Sequence, residues 1–218
     1  MICPHRANLK AAKMMDHSVN ADADRVAAAL MDGQIVLLPT DTVIGLAACP
    51  TQAEAVARVF DLKARARSKN LPIMIAAQDQ IDMLGGIANS AVEKMLSSGH
   101  MPGPLTVALG VDATRAPDWL QDREEIAFRI PNDALLLAVL RRTGPLLVTS
   151  ANRSGQETPN TTEAALAQLN GAPDVVVAGV GRGSQPSTLV NCRVTPARIE
   201  RLGAVSENEI ATILEGLQ

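Results

Sequence analysis

The chain has 218 residues, 47% of them hydrophobic, and its charges sum to −3. That length suits one large domain with ample material for a core. The composition argues against nucleic acid as the main ligand: with no Tyr, two Phe and one Trp there is almost nothing for bases to stack on, and a net acidic chain is a poor non-specific binder of phosphate backbones.

Residues 1–20 carry no clear periodicity and are expected to form a loose extension, with the folded unit over 21–218. Arg6, Lys10 and Lys13 are followed by no apolar stretch, so the segment does not read as a signal peptide, and Met14 or Met15 is a candidate start. An alanine-rich amphipathic helix is predicted over 21–31, stopped by Gly33. Short apolar runs over 34–38 and 43–48 read as strands. Thr51-Gln-Ala-Glu54 has the form of a capping box for a helix over 52–62. A polar loop over 63–70, a strand over 71–77 and two short helices within 78–97 follow. The Met101-Pro-Gly-Pro104 break leads into strands over 105–110 and 126–130. Asp133 opens a helix to about Thr143, 146–149 is a buried strand, and Thr161 or Thr162 caps the next helix. Strands over 175–178, 187–190 and 198–201 precede a final helix capped by Ser206-Glu-Asn-Glu209. Helices and strands in this irregular order predict an α/β domain around a mixed sheet.

Several chemistries are missing their motifs. There is no GxxxxGK[ST], no GxSxG and no SxxK. Gly179-Val-Gly181-Arg-Gly183 has Ser184 where a dinucleotide loop needs its last Gly, and Pro186 blocks a helix there. Cys3, Cys49 and Cys192 are far apart and His5, His17 and His100 do not cluster, so no metal site of Cys and His is expected. No apolar run reaches the ~20 residues of a membrane helix. With no nucleophile–base pair in view, the chemistry is expected to rest on positioning and electrostatics.

Four loops are unusually polar for so apolar a chain. Pro39-Thr40-Asp41-Thr42 follows a buried strand, where hydroxyls can rim a ligand site; a turn whose Thr and Asp satisfy their own backbone is the alternative. Lys63-Ala-Arg65-Ala-Arg67-Ser-Lys69 alternates cations with small residues. In an extended segment all four would point to one side, a comb suited to a triphosphate; a solvated basic loop is the alternative. Thr149-Ser150-Ala151-Asn152-Arg153-Ser154-Gly155 offers hydroxyls, an amide and backbone N–H groups to an anion, or forms an Asx or Ser/Thr turn. The fourth pairs Pro186-Ser187-Thr188 with Arg201-Leu-Gly203.

Taken together, Pro39-Thr-Asp-Thr-Val-Ile-Gly-Leu46, Lys63-Ala-Arg65, Pro102-Gly-Pro-Leu-Thr106, Arg129-Ile-Pro131, Ser150-Ala-Asn-Arg-Ser-Gly155, Ser187-Thr188 and Arg201-Leu-Gly203 closely resemble, in order, the motifs of the YrdC/TsaC family. The resemblance implies a single α/β domain, a twisted mixed sheet flanked by helices around a positively charged cavity. It implies synthesis of threonylcarbamoyl-AMP and pyrophosphate from L-threonine, bicarbonate and ATP with Mg²⁺, for threonylcarbamoyladenosine in tRNA. Lys63 and Arg65 are implied as catalytic. Lys63, Arg65, Arg67, Thr106, Ser150, Asn152 and Arg201 would hold ATP, and Thr40, Arg129, Thr149 and Ser187 the amino acid. Implied partners are weakly bound tRNA and the proteins that pass the product to tRNA, in the cytoplasm and without a membrane. The sequence departs from the family at Ile44, where a Tyr is usual, at Ala64, Ala66 and Met101, and at Met74, near which some members have a His. The alternatives are a non-catalytic member binding tRNA or ribosomal RNA, and a carbamoyl-adenylate enzyme with another acceptor.

Overall fold

The computed structural model describes residues 19–217. The expected loose extension thus lies outside the described residues, except for 19 and 20, which already belong to helix α1 (19–31). Ala23, Val26, Ala27 and Leu30 recur at helical spacing and are all buried, so one stripe of α1 faces the interior. Gly33, at φ +77°, ends it in the left-handed conformation that glycine adopts without strain.

Among the described residues ten strands form one sheet: β1 (Val36–Leu38), β2 (Gly45–Ala48), β3 (Ile73–Met74), β4 (Gly86–Ile87), β5 (Leu105–Val111), β6 (Glu125–Arg129), β7 (Leu146–Ser150), β8 (Val175–Val176), β9 (Thr188–Asn191) and β10 (Arg198–Arg201). Their order is β10-β9-β5-β6-β3-β7-β2-β1-β8, with β4 paired to β5. Pairing is mixed: β1 with β8, β3 with β6 and β5 with β9 are parallel, and the other ladders are antiparallel. Seven helices accompany it among the described residues: α1, α2 (Ala53–Leu62), α3 (Gln80–Met83), α4 (Ser90–Ser97), α5 (Ala134–Thr143), α6 (Thr162–Gln168) and α7 (Glu207–Leu214). A 3₁₀ turn covers Asp118–Leu120.

Strand alternation sorts the core into two layers. Leu37, Leu46, Ile73 and Leu147 point into the layer that includes α2, α4 and α7. Their neighbours Val36, Leu38, Ala47, Met74, Leu146 and Val148 point into the layer under α1 and α5. The mixed α/β domain is therefore the predicted one.

Two local expectations are corrected. Thr51 does not cap α2; the N-cap is Gln52, without a side-chain bond. The Thr51 hydroxyl lies 3.2 Å from Cys49 Sγ, and Gln52 Nε2 donates to the Met31 carbonyl at 2.8 Å. The strand expected over 71–77 shortens to Ile73–Met74. Pro72 has no N–H for a ladder, and the Ala76 N–H is taken by Gln80 Oε1 at 2.6 Å. β4 and the 3₁₀ turn were not predicted.

Candidate active site

The ends of β1, β6 and β7, the starts of β2, β5 and β9, and the end of β10 converge on one cavity. It holds about 620 Å³ of empty space, its open mouth included. The hydroxyl residues Thr40, Thr42, Thr106, Thr149, Ser150 and Ser187 line it, together with Arg65, Arg129 and Arg201. Val43, Ile44, Pro72, Met74 and Val148 supply its apolar wall.

The turn after β1 is built by its own hydroxyls. Thr40 Oγ1 accepts from the Thr42 N–H at 3.0 Å and donates to the Val43 carbonyl at 2.7 Å. That turn presents Asp41 to Arg129 at the end of β6. The guanidinium donates to Asp41 Oδ1 at 2.7 Å, Thr42 Oγ1 at 2.8 Å and the Gly103 carbonyl at 2.8 Å. The second Asp41 oxygen accepts from the Asn132 N–H at 3.0 Å. The Arg129 and Asp41 side chains are only 5% and 8% exposed. Burial pushes the Arg129 pKa down, and the adjacent carboxylate pushes it up. Three of the five guanidinium donors are therefore committed to protein.

On the opposite wall, Thr106 Oγ1 and Ser187 Oγ are 2.7 Å apart. Arg201 donates to the Ser187 carbonyl from Nε at 3.2 Å and from a terminal nitrogen at 2.8 Å, and to Ser187 Oγ at 3.2 Å. Arg201 is exposed as a residue, but its guanidinium is tied down on Ser187. Burial, then the charges of Arg129 and Arg65, push its pKa down. Three cations thus repel one another across the cavity, a field that favours a polyanion. Arg65 is half-buried and braces its own loop by donating to the Asn70 carbonyl at 3.0 Å.

The structure gathers Thr40, Arg65, Thr106, Arg129, Thr149, Ser150, Ser187 and Arg201 around the cavity. It does not gather Lys63, Arg67 and Asn152 on its wall. The basic loop is no extended comb. Lys63 is the C-cap of α2, and Ala64 turns the chain with φ +47°. Arg67 then points outward to Asp61 at 3.2 Å, beside Trp119 and Arg123 in a separate depression. Lys63 is 2% exposed, with Nζ donating to the Ser150 and Asn152 carbonyls. Burial, with the charge of Arg65 beside it, pushes its pKa down to about 7. The Asn152 amide is spent within its own loop.

Asp41, which holds Arg129, was given no role from sequence, and Thr42 on the wall was assigned to no substrate. Both sit inside the quoted Pro-Thr-Asp-Thr motif, which was the available signal. Among the described residues no helix is long and apolar enough to cross a membrane.

A sequence-family model for Sua5, YciO and YrdC proteins, described as "Telomere recombination", matches residues 28–203. The threonylcarbamoyl-AMP synthase of Bacillus subtilis is 31% identical over 197 residues, covering 87% of this chain. This chain spans only 56% of that relative's length. The threonylcarbamoyl-AMP synthase of Escherichia coli O157:H7 is 31% identical over 176 residues, covering 78% of this chain and 92% of the relative. Among solved structures, P. abyssi Sua5 complexed with L-threonine superposes with a TM-score of 0.78 at 26% identity, covering 88% of this chain and 57% of that one. E. coli YciO superposes with a TM-score of 0.76 at 21% identity, covering 88% and 93%, a likeness of fold.

Proposed function

We propose, from the premise that this chain belongs to the Sua5/YciO/YrdC family, that it makes threonylcarbamoyl-AMP and pyrophosphate from L-threonine, bicarbonate and ATP. The observation that carries the reading is the convergence of Arg65, Arg129 and Arg201 on a cavity otherwise lined by hydroxyls and apolar side chains. Every substrate is anionic or zwitterionic, and fixed guanidiniums stabilise charge where it accumulates without reorganising. The names of the relatives, and the L-threonine in the P. abyssi structure, support the choice of acceptor.

In this reading the threonine amine and bicarbonate give a carbamate and water. A carbamate oxygen attacks the α-phosphorus of ATP, and pyrophosphate leaves. Mg²⁺ would enter with the ATP substrate and would neutralise charge on its phosphates. Arg65 and Arg201, with Thr106 and Ser150, hold the nucleotide phosphates. Thr40, Thr149, Ser187 and the uncommitted donors of Arg129 hold the amino acid. The product passes to proteins that load tRNA, in the cytoplasm, and tRNA itself is bound only weakly.

Pyrophosphate release from ATP and bicarbonate, with and without threonine, is the test. Release that needs threonine is expected, and Arg65→Ala and Arg201→Ala should each lower kcat/KM by about 2–4 kcal/mol in transition-state terms. Threonine-independent release would point to another acceptor. No release, with tight RNA binding, would favour the RNA-binding alternative.

A further inference from the structure

We infer that Lys63 is a positioning residue: its ammonium gathers the oxygens of residues 150 and 152 and so fixes the loop that carries Ser150 to the cavity wall. The fully buried side chains of this chain are otherwise mostly hydrocarbon, yet among the largest of them is this lysine. Among the described residues no carboxylate pairs with it. Its Nζ donates instead to the Ser150 carbonyl, to the Asn152 carbonyl at 2.8 Å and to Asn152 Oδ1 at 3.3 Å. An ammonium has three donors and no acceptor, and three oxygens meet it. Burial disfavours the charged form, and the neutral amine still has two N–H donors for the same oxygens.

The main chain of the same residue repeats the connection. The Lys63 carbonyl accepts from the Ser154 N–H at 2.8 Å. Asn152 completes the unit: its Oδ1 accepts from Ser150 Oγ at 2.6 Å, and its Nδ2 donates to the Arg153 and Gln156 carbonyls at 3.1 and 2.8 Å. Lys63 thus ties the end of α2 to the loop after β7 from both side chain and backbone. Of the three residues in the network, Ser150 alone reaches the cavity wall. For Lys63 to reach a phosphate it would have to abandon all three oxygens, and the Ser150 and Asn152 carbonyls would lose the donor that joins them. The basic group nearest the cavity in this segment is Arg65, two residues on.

The role is tested on Lys63→Met, which keeps most of the stem's volume and removes the three donors. In the ligand-free protein, backbone amides of residues 151–156 should exchange hydrogen about tenfold faster or more, while those of α5 stay unchanged. Threonine-dependent pyrophosphate release should lose about 100-fold in kcat, with KM for ATP within about twofold of wild type. Unchanged exchange, with the loss confined to KM for ATP, would overturn the inference and return Lys63 to the phosphates. The activity arm rests on the function proposed above. Should wild type release no pyrophosphate with threonine, that function fails, and the exchange arm still decides the role of Lys63. If Lys63→Met does not fold, nitrogen NMR of the wild-type lysine ammonium decides. A Lys63 resonance protected without ligand and unmoved by a non-hydrolysable ATP analogue supports the inference. One that shifts and couples to phosphorus overturns it.

Discussion

Arg129 is held from three sides, and Asp41 supplies the one carboxylate among its partners. A buried ion pair adds little over a well-packed apolar pair, but breaking it by removing one charge is costly. Asp41→Asn should therefore destabilise the fold by about 3–5 kcal/mol, read from urea unfolding, and weaken threonine binding in calorimetry. A loss under about 1 kcal/mol would show that the pair is not relying on its charge. Lys63 sets a second, pH-dependent effect. Burial moves its pKa from the ordinary 10.5 to about 7. Between those values the unfolded chain holds a proton that the folded protein has released, so stability rises with pH across that window. The slope is at most about 1.4 kcal/mol per pH unit. The neutral amine gives up one donor to its oxygens, but relief of ionic burial outweighs one neutral hydrogen bond. Unfolding of wild type and Lys63→Met at several alkaline pH values should diverge in this sense, and parallel curves would contradict it.

The turn after β10 shows why the Arg-Leu-Gly spacing is what it is. Gly203 crosses the backbone of the segment that leads into β9. A Cβ there would lie 2.2 Å from the Pro186 carbonyl oxygen and 2.6 Å from the Ser187 carbonyl carbon. Thr188, wholly buried, fastens the crossing: its Oγ1 accepts from the Gly203 and Val205 N–H groups and donates to the Val205 carbonyl. Gly203→Ala must push this crossing apart, and with it the Ser187 carbonyl on which Arg201 rests. Activity should fall more than in Arg201→Ala, with a lowered Tm that Arg201→Ala lacks; equal Tm values would refute the steric argument. Elements with strong local signals were legible in the sequence: the α1 stripe, the Asp133 and Thr161 caps and the Ser206-Glu209 capping box all form. The loops at strand ends were legible as polar clusters, although Thr40 also serves its own turn. What failed depended on tertiary choices. The basic comb assumed an extended backbone, which the turn at Ala64 removes, and the Lys63 stem found carbonyls 87 and 89 residues away. The strand order follows long-range pairings that leave no mark in a single sequence.

At the scale of the whole molecule, a chain with a net charge of −3 concentrates three guanidiniums in one place. Acidic residues are spent elsewhere, many in exposed pairs such as Asp22 with Arg25 and Glu124 with Arg193, worth little each. The cations of the cavity wall are all arginines; among the described residues that line it there is no lysine, cysteine or histidine. An arginine stays protonated and presents no lone pair, whereas an amine readily attacks an activated acyl group. The proposed product is a mixed anhydride, and such an electrophile held against an accessible amine would modify its own maker by forming a urea and releasing AMP. Arg65→Lys would place such an amine on the wall. Intact-mass measurement after turnover should find a threonylcarbamoyl adduct on that variant and none on wild type; an adduct on wild-type cavity residues would refute the argument. The nearby amine of Lys63 escapes this fate because it is buried behind the wall and does not reach the cavity. The choice of guanidinium over ammonium is then a matter of self-preservation: the cavity grips a reactive acyl donor with cations that it cannot acylate.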